Sequence, residues 1–239
     1  MEDEVLAISE MLDTLDIKFN LLLGHAINIK SIGDIYPLKI KDICPIGLTK
    51  YYTYIALLTY HSDEIAEPID VYNFFCGFEL RQAFIEIASL FLRKPVTFDS
   101  LENSFVIEDI SEDNLNNRIN RDNFLVFVEV VRKQNGIERP PKLVYKNDIA
   151  KQMAEKFKEL RAKYNKKDDE TTLVDIISAI CAKHESINLI NVMDLTIYQI
   201  MDSFKRLNLI DNYTLTYEAL LHGAKSDDIK LKHWSEKIK

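Results

Sequence analysis

Most of the chain shows the spacing of apolar residues that is typical of helices. Apolar side chains recur every three or four positions, which places them on one face of a helix. This pattern predicts helices in the N-terminal part over residues 5–15, 48–61, 69–92 and 122–134. We expect Gly77 to bend or divide the third of these helices, and Gly136 to end the fourth in a left-handed conformation.

Four short stretches, arranged in two pairs, have the period of strands instead. Ile27–Ile29 and Ile35–Ile40 flank a turn that contains Gly33, and they predict a pair of strands. Pro37 would confine the second strand to a sheet edge, because proline has no backbone N–H to donate. Val96–Phe98 and Ser104–Ile107 predict a second hairpin.

After Pro140-Pro141 the pattern becomes purely helical. Further helices are predicted from Asn147 or Asp148 to Tyr164, over Thr196–Leu207 and over Tyr213–Leu221. Another helix is predicted to begin at Thr172, because Thr172 and Asp175 have the spacing of a capping box. The chain is therefore predicted to be mainly α, with small β-hairpin elements in its N-terminal part and an all-helical C-terminal part. The predicted domains are residues 1–139 and 142–239.

Composition and charge narrow the fold class, the kind of partner and the cellular compartment. Six Gly and six Pro in 239 residues are too few for the many turns of an all-β fold. A net charge of −8 makes nucleic acid an unlikely main partner and is compatible with a basic one. Three widely separated cysteines, Cys44, Cys76 and Cys181, fit buried thiols in a reducing cytoplasm. We expect neither a signal peptide nor a membrane span.

The residue types that carry chemistry form no recognisable catalytic motif. Cys181 and His184 lie three apart on one predicted helix face, but a zinc site needs three or four ligands and no second pair is suitably spaced. A nucleophilic Cys–His pair would need a third orienting group as well. We therefore interpret the two as a buried cysteine beside a surface histidine, and expect no catalytic, cofactor or metal site.

One basic segment stands out in this acidic chain. Residues Lys146 to Lys167 are rich in lysine and arginine, including Lys156, Arg161 and Lys163. Such a run is most often the solvated face of an amphipathic helix. The alternative is a docking surface for an acidic partner or a nucleic acid.

The C-terminal Lys232-His233-Trp234 contains the single tryptophan of the chain. Tryptophan with flanking cations is typical of energetic hot spots in protein interfaces. The same residues would serve equally well as a plug that closes the C-terminal helices. Both interpretations stay open on the sequence.

Six segments towards the two ends of the chain carry a resemblance to known proteins: Leu195–Leu207, Leu220–Lys225, Leu231–Ser235, Ile35–Leu38, Asp42-Ile43 and Lys50-Tyr51. Together they resemble a family of tail-module proteins from tailed phages and prophages of Gram-positive bacteria. The family is associated with tail assembly chaperones. The resemblance implies a protein of the host cytoplasm that binds the tape measure protein, or other tail components, until the tail tube polymerises. It implies no catalytic residue.

Two other functions compete with this hypothesis. The chain could be a virion component, such as a tail or baseplate subunit. It could instead be a DNA-binding regulator or replication factor built on the helices between Thr172 and Leu221, although the overall charge argues against this. A homo-oligomer is compatible with each of the three.

Overall fold

The computed structural model describes residues 7–8, 10–59, 70–108, 117–137, 171–223 and 233–236. The fold is mainly α, with two small antiparallel sheets in the N-terminal part and helices in the C-terminal part, as the patterning predicts. In the N-terminal part the elements are α1 (Leu15–Leu23), β1 (Ile27–Ile29), β2 (Gly33–Ile35), α2 (Ile40–Ile43), α3 (Leu48–Thr59), α4 (Val71–Cys76), α5 (Phe78–Leu92), β3 (Val96–Asp99), β4 (Ser104–Ile107), β5 (Arg118–Ile119) and α6 (Phe124–Gln134). They are followed by α7 (Leu173–Lys183), a 3-10 turn (Val192–Asp194) and α8 (Ile197–Leu221). Within the described ranges no helix combines the length and the apolar character that a membrane crossing requires.

Helix α1 was not predicted as a separate element. The described residues 7–8 and 10–11 of the predicted helix 5–15 are helical, but residues 12–14 are not, and a new helix begins at Leu15 with Thr14 as its N-cap. The Thr14 hydroxyl accepts a hydrogen bond from the Ile17 amide at 3.3 Å, which satisfies one of the free N–H groups of the first turn. Gly24 then ends α1 with a φ of 71°, a conformation that glycine adopts without strain.

The first hairpin is confirmed, and its second strand is shorter than predicted. This strand also begins earlier, because Gly33, which was predicted to lie in the turn, is its first residue and pairs with Ile29. Strands β1 and β2 pair antiparallel with Ile27 opposite Ile35. Strand β2 ends at Ile35, two residues before Pro37, so the predicted strand Ile35–Ile40 is wrong beyond its first residue. Proline cannot donate to a strand ladder, and the chain turns there into α2.

The long apolar segment divides at Gly77, as predicted. The Asp70 carboxylate caps α4 by accepting from the Asn73 amide at 3.2 Å. The free Cys76 carbonyl at the break accepts hydrogen bonds from Arg81 at 3.1 and 2.6 Å. The division therefore leaves the broken helix end satisfied.

The second hairpin is confirmed and is extended by a third strand. Strands β3 and β4 pair with Val96 opposite Ile107. Strand β5 adds to the other edge of β4, with Phe105 opposite Ile119. A strand of two residues, Arg118–Ile119, is too short to show any period in the sequence, and it was not predicted.

Phenylalanine side chains form the centre of the core. The fully buried Phe84 of α5 has its ring centroid 5.1 Å from Phe75, 4.4 Å from Phe105, 5.6 Å from Phe124 and 6.0 Å from Phe127. These distances lie within the range of favourable aromatic pairs. One continuous cluster of buried side chains joins this centre to α7 and α8. The predicted division into residues 1–139 and 142–239 stays a prediction, because its boundary lies outside the described residues.

Helix α6 carries a buried ion pair. The Glu129 carboxylate accepts two hydrogen bonds from Arg132, at 3.0 and 2.8 Å, and both side chains are almost wholly buried. Arg132 also donates to the Ile137 carbonyl at 2.5 Å. Gly136 follows α6 with a φ of 64°, which confirms the predicted left-handed stop.

The last two predicted helices are a single helix, so that division is wrong. Helix α8 runs unbroken through residues 208–212, which include the polar Asn208, Asp211 and Asn212. These residues interrupt the apolar spacing, but the segment contains neither glycine nor proline, and the helix propagates once it has been nucleated. The capping box of α7 is confirmed, with Thr172 and Asp175 in reciprocal hydrogen bonds. The predicted helix up to Tyr164 lies outside the described residues.

Candidate partner-binding surface

Helix α8 is fixed to the body of the protein at its N-terminal end. Thr196 and Gln199 form a capping box, in which the Thr196 hydroxyl accepts from the Gln199 amide at 3.2 Å and the Gln199 side chain accepts from the Thr196 amide at 2.9 Å. The Gln199 amide group also donates to the Leu22 carbonyl of α1 at 2.9 Å. The start of α8 therefore has a fixed direction.

The buried residues of α8 are concentrated at this end. Ile197 and Ile200 are buried, and no later residue of this fully described helix is. Phe204 and Leu207 are partly buried against the core. With a rise of about 1.5 Å per residue, the 25 residues of α8 make a helix about 37 Å long, and its second half extends beyond the core.

Four aromatic rings gather on this second half. Tyr213 and Tyr217 lie one turn apart and stack with a centroid separation of 6.3 Å. The His233 ring meets Tyr213 edge-on at 5.3 Å, and Trp234 lies 5.1 Å from His233. We call these four residues the aromatic cluster.

Arg206 holds the C-terminal part of the cluster against α8. Its Nη1 donates to the Trp234 carbonyl at 2.6 Å and to the Glu236 carbonyl at 2.9 Å. Residues 233–236 also form a turn with internal hydrogen bonds, including one from the His233 amide to the Glu236 carboxylate at 3.2 Å. The ring of Trp234 is thus positioned before any partner arrives.

The cluster remains accessible to a partner. Trp234 is 44% exposed and Tyr217 is 49% exposed. Ile210 and Leu221 are exposed on the same face of α8, since positions 210, 213, 217 and 221 recur at helical spacing. Tyrosine and tryptophan supply a large contact area for few rotatable bonds. The arrangement is therefore suited to binding an apolar surface of another macromolecule.

A small cleft lies where the N-terminal part meets the C-terminal helices. It encloses about 260 Å³, and its lining comes from α3, the end of α6, α7 and α8, including Tyr51, Leu173 and Met201. The Tyr51 hydroxyl donates to the Asn135 side chain at its floor, and burial raises the pKa of Tyr51. None of the residues that line this cleft is charged, so we assign no chemistry to it.

The structure places only some of the predicted partner-binding residues. His233 and Trp234 belong to the aromatic cluster. Lys232, Lys156, Arg161 and Lys163 lie outside the described residues, as does the whole basic segment from Lys146 to Lys167.

The prediction of three buried cysteines holds for Cys76 and is wrong for Cys44, which is exposed. The interpretation of Cys181 and His184 as a buried cysteine beside a surface histidine is only partly right, because both residues are half-buried. Cys181 is half-buried, and the His184 ring meets the Ser186 amide and hydroxyl through Nδ1. In the part of the chain that the structure describes, no three His, Cys, Asp or Glu residues gather in a way that could hold a metal ion.

Sequence reasoning missed Arg206, Tyr213 and Tyr217 as parts of this surface. The i, i+4 spacing of the two tyrosines was the available signal, because it predicts neighbouring rings on one helix face. Nothing comparable exists for Arg206, whose acceptors lie 28 and 30 positions away.

Comparison with known protein families finds a match to the C-terminal part of the chain. A family model described as the YomV second domain matches residues 165–239, which include α7, α8 and the whole aromatic cluster. This family is of phage and prophage type, so the match supports the phage part of the resemblance noted above and contains nothing specific to tail proteins. No curated protein and no solved structure matches the chain.

Proposed function

We propose that the chain is a non-enzymatic phage assembly protein that binds another phage protein through the aromatic cluster. The expected partner is the tape measure protein or another tail component, and the chain acts as an assembly chaperone in the host cytoplasm. The observation that carries the proposal is the pre-positioned aromatic cluster on a helix that extends beyond the core. Its position within the segment matched by the phage-type family adds support.

Physical chemistry supports binding in two ways. Exposed tyrosine and tryptophan dominate the binding energy of many protein interfaces, and here Arg206 fixes the turn that carries Trp234, so less conformational entropy is lost on association. The net charge of −8 favours encounters with a basic partner, and it keeps the free protein soluble despite its exposed apolar groups. A chaperone that shields apolar surface needs both a preformed apolar binding surface and solubility in its free state.

Co-expression with the tape measure protein of the same phage tests the proposal. We expect a complex that survives purification, and more of the tape measure protein in the soluble fraction. Trp234→Ala and Tyr217→Ala should each weaken the complex about tenfold or more, the usual effect of truncating an interface hot spot.

Leu215→Ala is the matched control. Leu215 is 64% exposed and lies between the two tyrosines in sequence, but helical geometry places it on the opposite face of α8. It should leave the complex unchanged. If no complex forms with any tail component, or if Leu215→Ala weakens the complex as much as Trp234→Ala does, the proposal is wrong.

Mass spectrometry of purified particles separates the chaperone from a structural subunit. A chaperone should be absent from particles or present far below the level of the tail proteins. A fixed stoichiometric ratio would instead establish the alternative of a tail or baseplate subunit.

A further inference from the structure

Helix α1 presents an apolar stripe to solvent. Leu15, Phe19, Leu22 and Leu23 are 84%, 61%, 47% and 47% exposed, and with 100° of rotation per residue all four side chains lie within about 100° around the helix. We call these residues the apolar stripe. The opposite side of α1 packs on the core through the buried Leu21.

The apolar stripe lies on a helix with fixed ends. Thr14 caps its first turn, and Lys18 pairs with Asp13 at 2.8 Å. At the other end the Leu22 carbonyl accepts from Gln199 of α8 at 2.9 Å. The body of the protein therefore presents the stripe as a preformed surface.

The exposed area of the apolar stripe can be compared with the area that a specific protein interface needs. An aromatic side chain buries about 150–250 Å² and a leucine side chain less, so the observed exposures correspond to at most about 500 Å² of apolar surface. This is near the upper end for the largest patch on a monomer, about 300–600 Å². Two such stripes facing each other would cover at most about 1,000 Å², the lower limit for a specific interface.

We infer that the apolar stripe is a dimer interface that pairs with the same stripe of a second copy of this chain. Twofold pairs are the commonest soluble oligomers, and they need a surface that is complementary to itself. The stripe meets this condition, since it contains no charged or polar side chain that would have to lose its water without a partner.

Charge at the ends of α1 selects the antiparallel arrangement. Asp16 lies in its first turn, and a parallel pair would bring the two copies of this carboxylate together. An antiparallel pair separates them and aligns the helix dipoles favourably. Phe19, the middle residue of α1, then faces its own copy across the twofold axis.

The net charge of each chain gives the dimer a distinctive salt dependence. Two chains of charge −8 repel each other, and added salt screens this repulsion while leaving apolar contact intact. The dimer should therefore tighten as salt is added, whereas an interface held by ion pairs would loosen. With an area at the lower limit, we expect dissociation in the micromolar range.

Sedimentation velocity over about a hundredfold range of protein concentration tests the inference. The wild type should shift from monomer to dimer, and Leu15→Glu and Phe19→Glu should each stay monomeric. Both residues are exposed, so thermal unfolding should confirm that these variants still fold. Leu101→Glu is the matched control, because Leu101 is a 96% exposed leucine outside the stripe, and it should dimerise as the wild type does.

Two cysteine variants test the antiparallel geometry, in a background where the exposed Cys44 is replaced by serine. Phe19→Cys should form a disulfide-linked dimer on mild oxidation, because the two copies of residue 19 face each other. Leu15→Cys should not link to itself, since antiparallel pairing sets its two copies about 12 Å apart along the helix, beyond the reach of a disulfide. Leu15→Cys mixed with Leu23→Cys should link.

Several results would overturn the inference. They are a wild type that stays monomeric throughout, a dimer that survives both glutamate substitutions, and a Leu15→Cys variant that links to itself while Phe19→Cys does not. The dimer is independent of the proposed chaperone function, because the aromatic cluster lies on the far half of α8. Trp234→Ala should dimerise normally, so failure of either proposal is visible without the other.

Discussion

Replacing Arg206 by alanine should release the C-terminal turn without unfolding the protein. The guanidinium of Arg206 connects α8 to the turn through its two hydrogen bonds to backbone carbonyls. All four residues of the turn are exposed, so its docking contributes no buried side chain to the core. The substitution should therefore act locally, on the position of Trp234.

The size of the effect follows from these two hydrogen bonds. A hydrogen bond from a charged group contributes about 1.5–3 kcal/mol when it is shielded from water. Arg206 is only half-buried, so we expect about 1.5 kcal/mol for the two bonds together. This corresponds to a roughly tenfold rise in the ratio of undocked to docked turn, while the contact between the His233 and Tyr213 rings remains to oppose release.

Fluorescence of the single tryptophan measures this release directly. In the Arg206→Ala variant the emission of Trp234 should shift to longer wavelength, and a soluble quencher should reach the ring more easily. Arg206→Lys keeps the charge but has one donor nitrogen instead of the several N–H donors of a planar guanidinium. Its Trp234 emission should therefore shift by an intermediate amount. The thermal midpoint of unfolding should stay at the wild-type value. An unchanged emission and quenching in Arg206→Ala would refute the reasoning that these two bonds position Trp234.

Three further predictions concern the stability of the fold. Phe84→Ala should lower the free energy of unfolding in urea by about 3–5 kcal/mol, since it leaves a cavity in the aromatic centre of the core. Phe78 is 89% exposed, so Phe78→Ala should change this free energy by no more than about 0.5 kcal/mol. Equal effects of the two substitutions would contradict the assigned core. Thr196→Ala should cost about 1–2 kcal/mol in the same assay, because it removes the cap of α8, and a stability equal to the wild type would show that the cap is dispensable. Hydrogen bonds from Tyr54 and Lys50 lower the pKa of Glu86. Ionised Glu86 therefore stabilises the folded state, and this stabilisation is lost as the pH falls through the folded-state pKa. Glu86→Gln should therefore lose less stability than the wild type as the pH falls from about 5 to below the folded-state pKa of Glu86, and equal losses would count against this linkage.

The sequence by itself determined much of the local structure. The capping box at Thr172, the division of a long helix at Gly77 and the hairpin after Pro95 depend on residues that lie within a few positions of one another. Such features follow from backbone geometry and from hydrogen bonds inside one short window. The mainly α class follows for the same reason, from the period of the apolar positions.

Only the tertiary structure decided which apolar faces are covered. Leu15, Phe19 and Leu22 recur at the spacing of a core-facing helix, yet they face solvent. The opposite side of α1, which carries the buried Leu21, packs on the core instead. Likewise, Trp234 gains its position from Arg206, 28 residues earlier in the chain. Helical period fixes which side chains share a face, but whether that face is buried depends on contacts between distant segments, and these form only when the whole chain packs.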